Sequence, residues 1–153
     1  MTRPASDFVV LFAVGELDLA LNLETVARVI RAVDVSPLPD APRGVLGVIN
    51  MQGRIVPVLG MRARFGMPAR EVRAADYLII ARIRSRVVAL LADTVAGVVP
   101  ASQVQIVQSS EILPEMECIS GVIKLQGDLI FVHDLEKFLS NEDYDALQLA
   151  LSR

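Results

Sequence analysis

Two adjacent residues of this 153-residue chain, His133 and Asp134, are the only pair whose types suit acid-base chemistry. A histidine titrates near neutrality, and a carboxylate beside it can orient the ring for proton transfer. Neighbours along a strand point to opposite faces, however, so Asp134 reads better as a cap on the following turn than as a catalytic partner. Cys118, the single cysteine, has no flanking base and no second histidine to lower its pKa. One histidine and one cysteine do not supply the matched ligands of a zinc site. No Gly-rich phosphate loop, dinucleotide fingerprint or nucleophile elbow occurs. The sequence predicts no enzyme, no cofactor and no metal, and points to a binding module.

Charge sharpens that reading. From Arg54 to Arg86 there are eight arginines against Glu71 and Asp76, a balance of +6. From Glu111 to Asp145 there are nine acids against Lys124 and Lys137, a balance of −7. A molecule divided in this way favours oriented docking with proteins, because its acidic part repels a nucleic acid. The longest apolar region, Val87 to Val99, is interrupted by Asp93 and falls short of the roughly 18 residues of a membrane span. The opening "MTRPASDF" lacks the apolar core of a signal peptide, and a lone cysteine suits a reducing compartment. The expectation is a cytoplasmic protein without direct membrane insertion.

An internal repeat must position whatever binds. A shift of 69 residues sets 7–30 over 76–99 with seven identities, among them Ala20/Ala89, Thr25/Thr94 and Val29/Val98. A shift of 74 aligns "GVINMQGRIVPVLGM" (47–61) with "GVIKLQGDLIFVHDL" (121–135), with six identities in fifteen. Each copy reads as strand, two-residue turn, strand, short helix, loop, strand, Gln-Gly turn, strand. Strands are predicted over Phe8 to Val14, Leu17 to Leu21, Tyr77 to Ile83 and Val87 to Leu91. Short helices are predicted over Glu24 to Arg31 and Asp93 to Val99, and Pro37, Pro39 and Pro42 impose a loop. Pro57 sits inside a predicted strand, which places it at an edge or a bulge. Ser140 and Asp143 form a capping box for a terminal helix whose Tyr144, Leu147 and Leu151 share a face. The fold class is mostly β: paired small barrels with short helices and a C-terminal helix.

The run "VLGVINMQGRIVPVLGMRARFG" (45–66) resembles the signature of the CheW-like family, G-x-x-N-x-R-G, an apolar pair, Pro, then V-x-D-L-R-x-R-F-G. Gly47, Asn50, Gly53, Pro57, Val58, Arg62, Arg64, Phe65 and Gly66 fall on matching positions. "ADTVAGVV" (92–99) and "ISGVIKLQGDLIFVHDLEKFLS" (119–140) are similar to later family segments, so the resemblance runs in order over 7–140. It implies two SH3-like five-stranded β-barrels, about 15–75 and 76–140 plus the N-terminal strand, followed by the helix at 141–153.

The resemblance further implies a non-catalytic adaptor that couples chemoreceptors to a CheA-type histidine kinase, recruited to membrane-associated receptor arrays. Its expected partners are the receptor's signalling tip and the kinase's regulatory domain. Carried over by position, receptor-binding residues would be Asn50, Gln52, Gly53, Arg54, Val95, Val98 and Val99. Kinase-binding residues would be Arg62, Arg64, Gln126, Gly127 and Asp128. Two positions depart from the pattern: Gln52 stands where the family has arginine, and Gly60 where it has aspartate. Replacing a charged planar fork by a neutral amide changes what the first turn can grip. It opens an alternative, a divergent modulator or competitor in a chemosensory system serving pili, surface motility or a second messenger.

Overall fold

Alternating apolar residues that are all buried require a strand with two covered faces, and Tyr77–Ile83 is of that kind. The structure, a computed structural model, describes residues 8–42, 44–83, 85–106, 119–125 and 127–135, the side chains of residues 64 and 103–106 excepted. Among these residues eleven strands form: β1 (Phe8–Val14), β2 (Leu17–Asn22), β3 (Val26–Arg31), β4 (Val45–Met51), β5 (Arg54–Leu59), β6 (Tyr77–Ile83), β7 (Arg86–Ala92), β8 (Thr94–Pro100), β9 (Val104–Ile106), β10 (Ile119–Leu125) and β11 (Asp128–His133). One sheet has the order β8-β1-β2-β11-β10-β9 and the other β3-β6-β7-β5-β4.

The five strands β8-β1-β2-β11-β10 and β3-β6-β7-β5-β4 occupy equivalent places under the repeat, which bears out a mostly β fold of two five-stranded units. The sixth strand, β9, pairs Gln105 with Val122. Its counterpart in the other sheet has shrunk to a single bridge between Ser36 and Val48. Sheet membership crosses the expected boundary between residues 75 and 76. The hairpin β1–β2 pairs with strands of the second half, and β6–β7 pairs with strands of the first. The two copies have exchanged their leading hairpins.

Exchange explains the doubly apolar strands. On β6, Leu78 and Ile80 face a core inside their own sheet with Ile49, Val56 and Val58. Ile79, Ala81 and Ile83 face a larger core between the sheets, together with Phe12, Leu19 and Leu21 of β1 and β2. A third cluster, with Val9, Ala20, Ile123 and Val132, fills the other sheet.

The two helices predicted over 24–31 and 93–99 are strands, preceded in the first half by a 3-10 turn at Leu23–Thr25. Their spacing imitates a helix because each contains a bulge. Between β3 and β6 the register slips so that Ala27 is extra, and between β1 and β8 it slips so that Ala96 is extra. These alanines are equivalent under the repeat, and an inserted residue breaks strict alternation. Valine-rich segments with a waiting partner strand then pair rather than coil. The predicted C-terminal helix, including Tyr144, Leu147 and Leu151, lies outside the described residues.

Pro57 is accommodated by register. Val48 turns both its N–H (2.7 Å) and its C=O (2.8 Å) toward Ser36. Val48 and Pro57 are therefore a non-hydrogen-bonded pair of the β4–β5 ladder, and the proline nitrogen faces away from β4. On that side the parallel ladder to β7 starts only at Val58, whereas β11 begins pairing with β2 at Phe131, the counterpart of Pro57. Proline shortens the ladder's start without leaving a donor unpaired.

One ionic cluster ties the sheets where the chain crosses between them. Asp93 is the single residue between β7 and β8, and its N–H donates to Ala13 O at 2.8 Å. Its carboxylate accepts from Gly15 N–H (2.9 Å), Arg62 Nη2 (2.8 Å) and Arg70 Nη2 (2.7 Å). Arg70 also forks onto Asp76 with two bonds of 2.9 Å, and Asp76 accepts from the Arg73 N–H at 2.7 Å. Burial pushes both carboxyls up, but the arginines and backbone donors outweigh it and hold Asp76 and Asp93 below the ordinary carboxylate range. The same contacts, the bond to Asp76 first, raise the Arg70 pKa.

Two outcomes follow. A carboxyl depressed in the folded state stabilises above its unfolded pKa of about 3.9, and that contribution fades as pH falls through the folded value. Asp93→Asn should cost about 2–3 kcal/mol at pH 7, with the gap to the parent narrowing below about pH 4, as read by urea unfolding across pH 3–7. At Gly47 an added Cβ would collide with the Ser36 carbonyl oxygen. Gly47→Ala should therefore lower stability by about 1–3 kcal/mol in thermal unfolding, through the lost Ser36–Val48 bridge.

Candidate functional site

The first candidate surface is built by a turn. Gln52 (φ 54°) and Gly53 (φ 85°) both have positive φ, the geometry of a type I′ hairpin turn joining β4 to β5. A left-handed Gln is costly, and Asn50 supplies compensation: its Oδ1 accepts the Gly53 N–H at 2.8 Å. Asn50, Gln52, Gly53, Arg54 and Ile55 are all exposed, so this tip is presented to a partner. The opposite hairpin repeats the turn at Gly127 (φ 87°), with Gly127, Asp128 and Leu129 exposed. Gln126 lies outside the described residues.

Comparing the two tips reveals what sequence reading missed. Arg54 and Asp128 are equivalent positions of opposite charge, and Ile55 (51% exposed) and Leu129 (54%) are equivalent exposed apolar residues. The signal was present in the alignment of 47–61 with 121–135, as a charge reversal beside a kept apolar residue.

The valines of β8 divide. Val98 is exposed (53%), while Val95 packs on the inter-sheet core and Val99 on the core of its own sheet. Val29, the counterpart of Val98, is likewise exposed, on β3. Both strands are sheet edges, so backbone groups and an apolar side chain are offered together. Val29 was absent from the expected set because its segment read as a helix.

Arg62 is spent within the molecule, on Asp93, as part of the cluster at the crossover. Two of the eight arginines of the basic stretch are thus neutralised by carboxylates, which lessens the expected basic face. Arg64 lies in a 3-10 turn, Ala63–Phe65, closed by Gly66 in the left-handed conformation. Most of the acidic stretch lies outside the described residues. His133 is buried on β11 with the Phe65 ring edge-on at 6.3 Å, a packing position between segments of the two halves. The turn that Asp134 was expected to cap lies outside the described residues. Among the described residues no group of three or more metal-ligating side chains occurs, and no helix is long and apolar enough to cross a membrane.

Comparison with known proteins agrees with this arrangement. The CheW-like domain family model matches residues 9–143. The chain is 32% identical over 137 residues to the chemotaxis protein CheW of Rhizobium meliloti, covering 88% of each. It is 30% identical over 130 residues to that of Thermotoga maritima, covering 84% of each. The fold is similar to the crystal structure of the scaffolding protein TtCheW from Thermoanaerobacter tengcongensis, with a TM-score of 0.77 at 23% identity and 92% of each chain covered. Two exchanged SH3-like units, paired exposed tips and a match along nearly the whole chain lead to one assignment: the chain belongs to the CheW-like family of non-catalytic chemotaxis adaptors.

Proposed function

We propose that this protein couples chemoreceptors to a CheA-type histidine kinase in a chemosensory array. The observation that carries the reading is the exposure of Val98 on an edge strand whose neighbouring valines face inward. An apolar side chain so placed suits the apolar stripe of a receptor's helical hairpin tip. The β4–β5 tip, with Asn50, Gln52, Gly53 and Arg54, borders the same function as a polar rim. The regulatory domain of the kinase docks on the barrel ends, through Arg64 and the turn of Gln126, Gly127 and Asp128. Arg62 acts there indirectly, by fixing the segment that carries Arg64.

Gln52 supports a second reading, a modulator that occupies a receptor or kinase without completing the array. An uncharged amide at the turn cannot make the bidentate ion pair that an arginine makes. Kinase activity reconstituted with receptor separates the two, since a coupler raises phosphorylation and a competitor lowers it.

Val98→Asp should weaken receptor co-sedimentation at least tenfold while leaving the thermal midpoint within about 2 °C, because the side chain is already solvated. Asp128→Arg should weaken kinase capture and spare receptor binding. Unchanged binding in both variants, or no capture of either partner by the parent protein, would overturn the coupling role.

A further inference from the structure

We propose that the face behind the crossover cluster is a binding site for a small amphiphilic carboxylate, a ligand with an anionic head and a short apolar body. A pocket of about 200 Å³ opens there, its apolar wall formed by Leu46, Met61, Met67 and Leu91. An apolar cavity of about 150 Å³ is already enough to hold a benzene ring. Met61 and Leu91 are buried and fixed in the cores, so the wall is preformed rather than collapsed. Methionine sulfurs also suit an aromatic guest.

The pocket's polar end is cationic. Arg62, Arg70 and Asp93 line it, two positive charges against one negative. Arg62 commits only its Nη2 to Asp93, and a guanidinium has five N–H donors in all. Its side chain is only 19% exposed and that of Arg70 only 15%, so a carboxylate arriving there meets partly desolvated charge.

The internal repeat supplies an independent observation. Gly60 lines the pocket, and its equivalent in the second half is Asp134. The first half thus lacks a carboxylate at the place where the second half has one, and the space borders Arg62. A Cβ on Gly60 would approach the Leu46 side chain to 3.0 Å, so a residue larger than glycine intrudes on the pocket. The ligand's carboxylate takes the position of the missing side chain, and its apolar body lies along Leu46 and Met67.

Methyl-labelled methionine NMR tests this with 4-phenylbutyrate and its neutral isostere 4-phenylbutyramide as probes. The expected result is a saturable shift of the Met61 and Met67 methyl resonances, with the carboxylate binding at least tenfold tighter than the amide. Gly60→Asp should abolish that shift by supplying the carboxylate from the chain itself. Leu46→Phe should do so by filling the mouth; Leu46 is 37% exposed, so this variant keeps the fold if Gly60→Asp does not. Equal binding of acid and amide, no saturable shift in the parent, or full binding in a folded variant of either kind would overturn the proposal.

Discussion

Asp93 is the constraint on which the arrangement rests. It is the only residue between β7 of one sheet and β8 of the other, so its backbone fixes how the two sheets are joined. Its carboxylate gathers donors from the β1–β2 turn, from the segment after β5 and from the loop before β6. No apolar contact could hold three such segments at one point, because dispersion is not directional. Desolvating charge offsets much of the attraction, so the cluster contributes placement more than net stability. The equivalent crossover in the first half has Glu24, which is exposed, and the chain there makes a 3-10 turn instead. One crossover is locked and the other is only bent.

Duplication makes the places of change easy to see. Under the repeat, the turns, both bulges and the parallel pairings are kept, because each serves closure of a sheet. Positions that close nothing have diverged: Asn50 against Lys124, Arg54 against Asp128, Gly60 against Asp134. Such differences lie at the tips and at the rim of the crossover cluster, and they allow two similar barrels to meet dissimilar partners. Specificity is written on an architecture that the repeat itself leaves symmetric.

How far the sequence could be read follows from the range of each interaction. The Gln-Gly turns and the strands on either side of them were legible, since turn chemistry and alternation are local. β3 and β8 were not, because an extra alanine in each disrupts alternation and the deciding partners, β6 and β1, lie far along the chain. The roles of Arg62 and Arg70 were hidden in a pooled charge count. Arg62 finds its carboxylate 31 residues away, and nothing local marks the pair. Val98 was identified together with Val95 and Val99, but only the bulge geometry separates the one that faces outward from the two that face in.

The exchanged hairpins have a consequence for synthesis. A ribosome releases β1–β2 first, yet their sheet partners β8, β10 and β11 emerge last. The first sheet to complete is the one that uses β3 to β7, closing once residue 92 is free. Until then the apolar inner faces of β1 and β2 have no sheet to join and must be shielded by the nascent second layer or by a chaperone. Long sequence separation between paired strands also slows the final closure. The order of folding therefore runs from the middle of the chain outward, and the N-terminal hairpin is among the last elements to find its place.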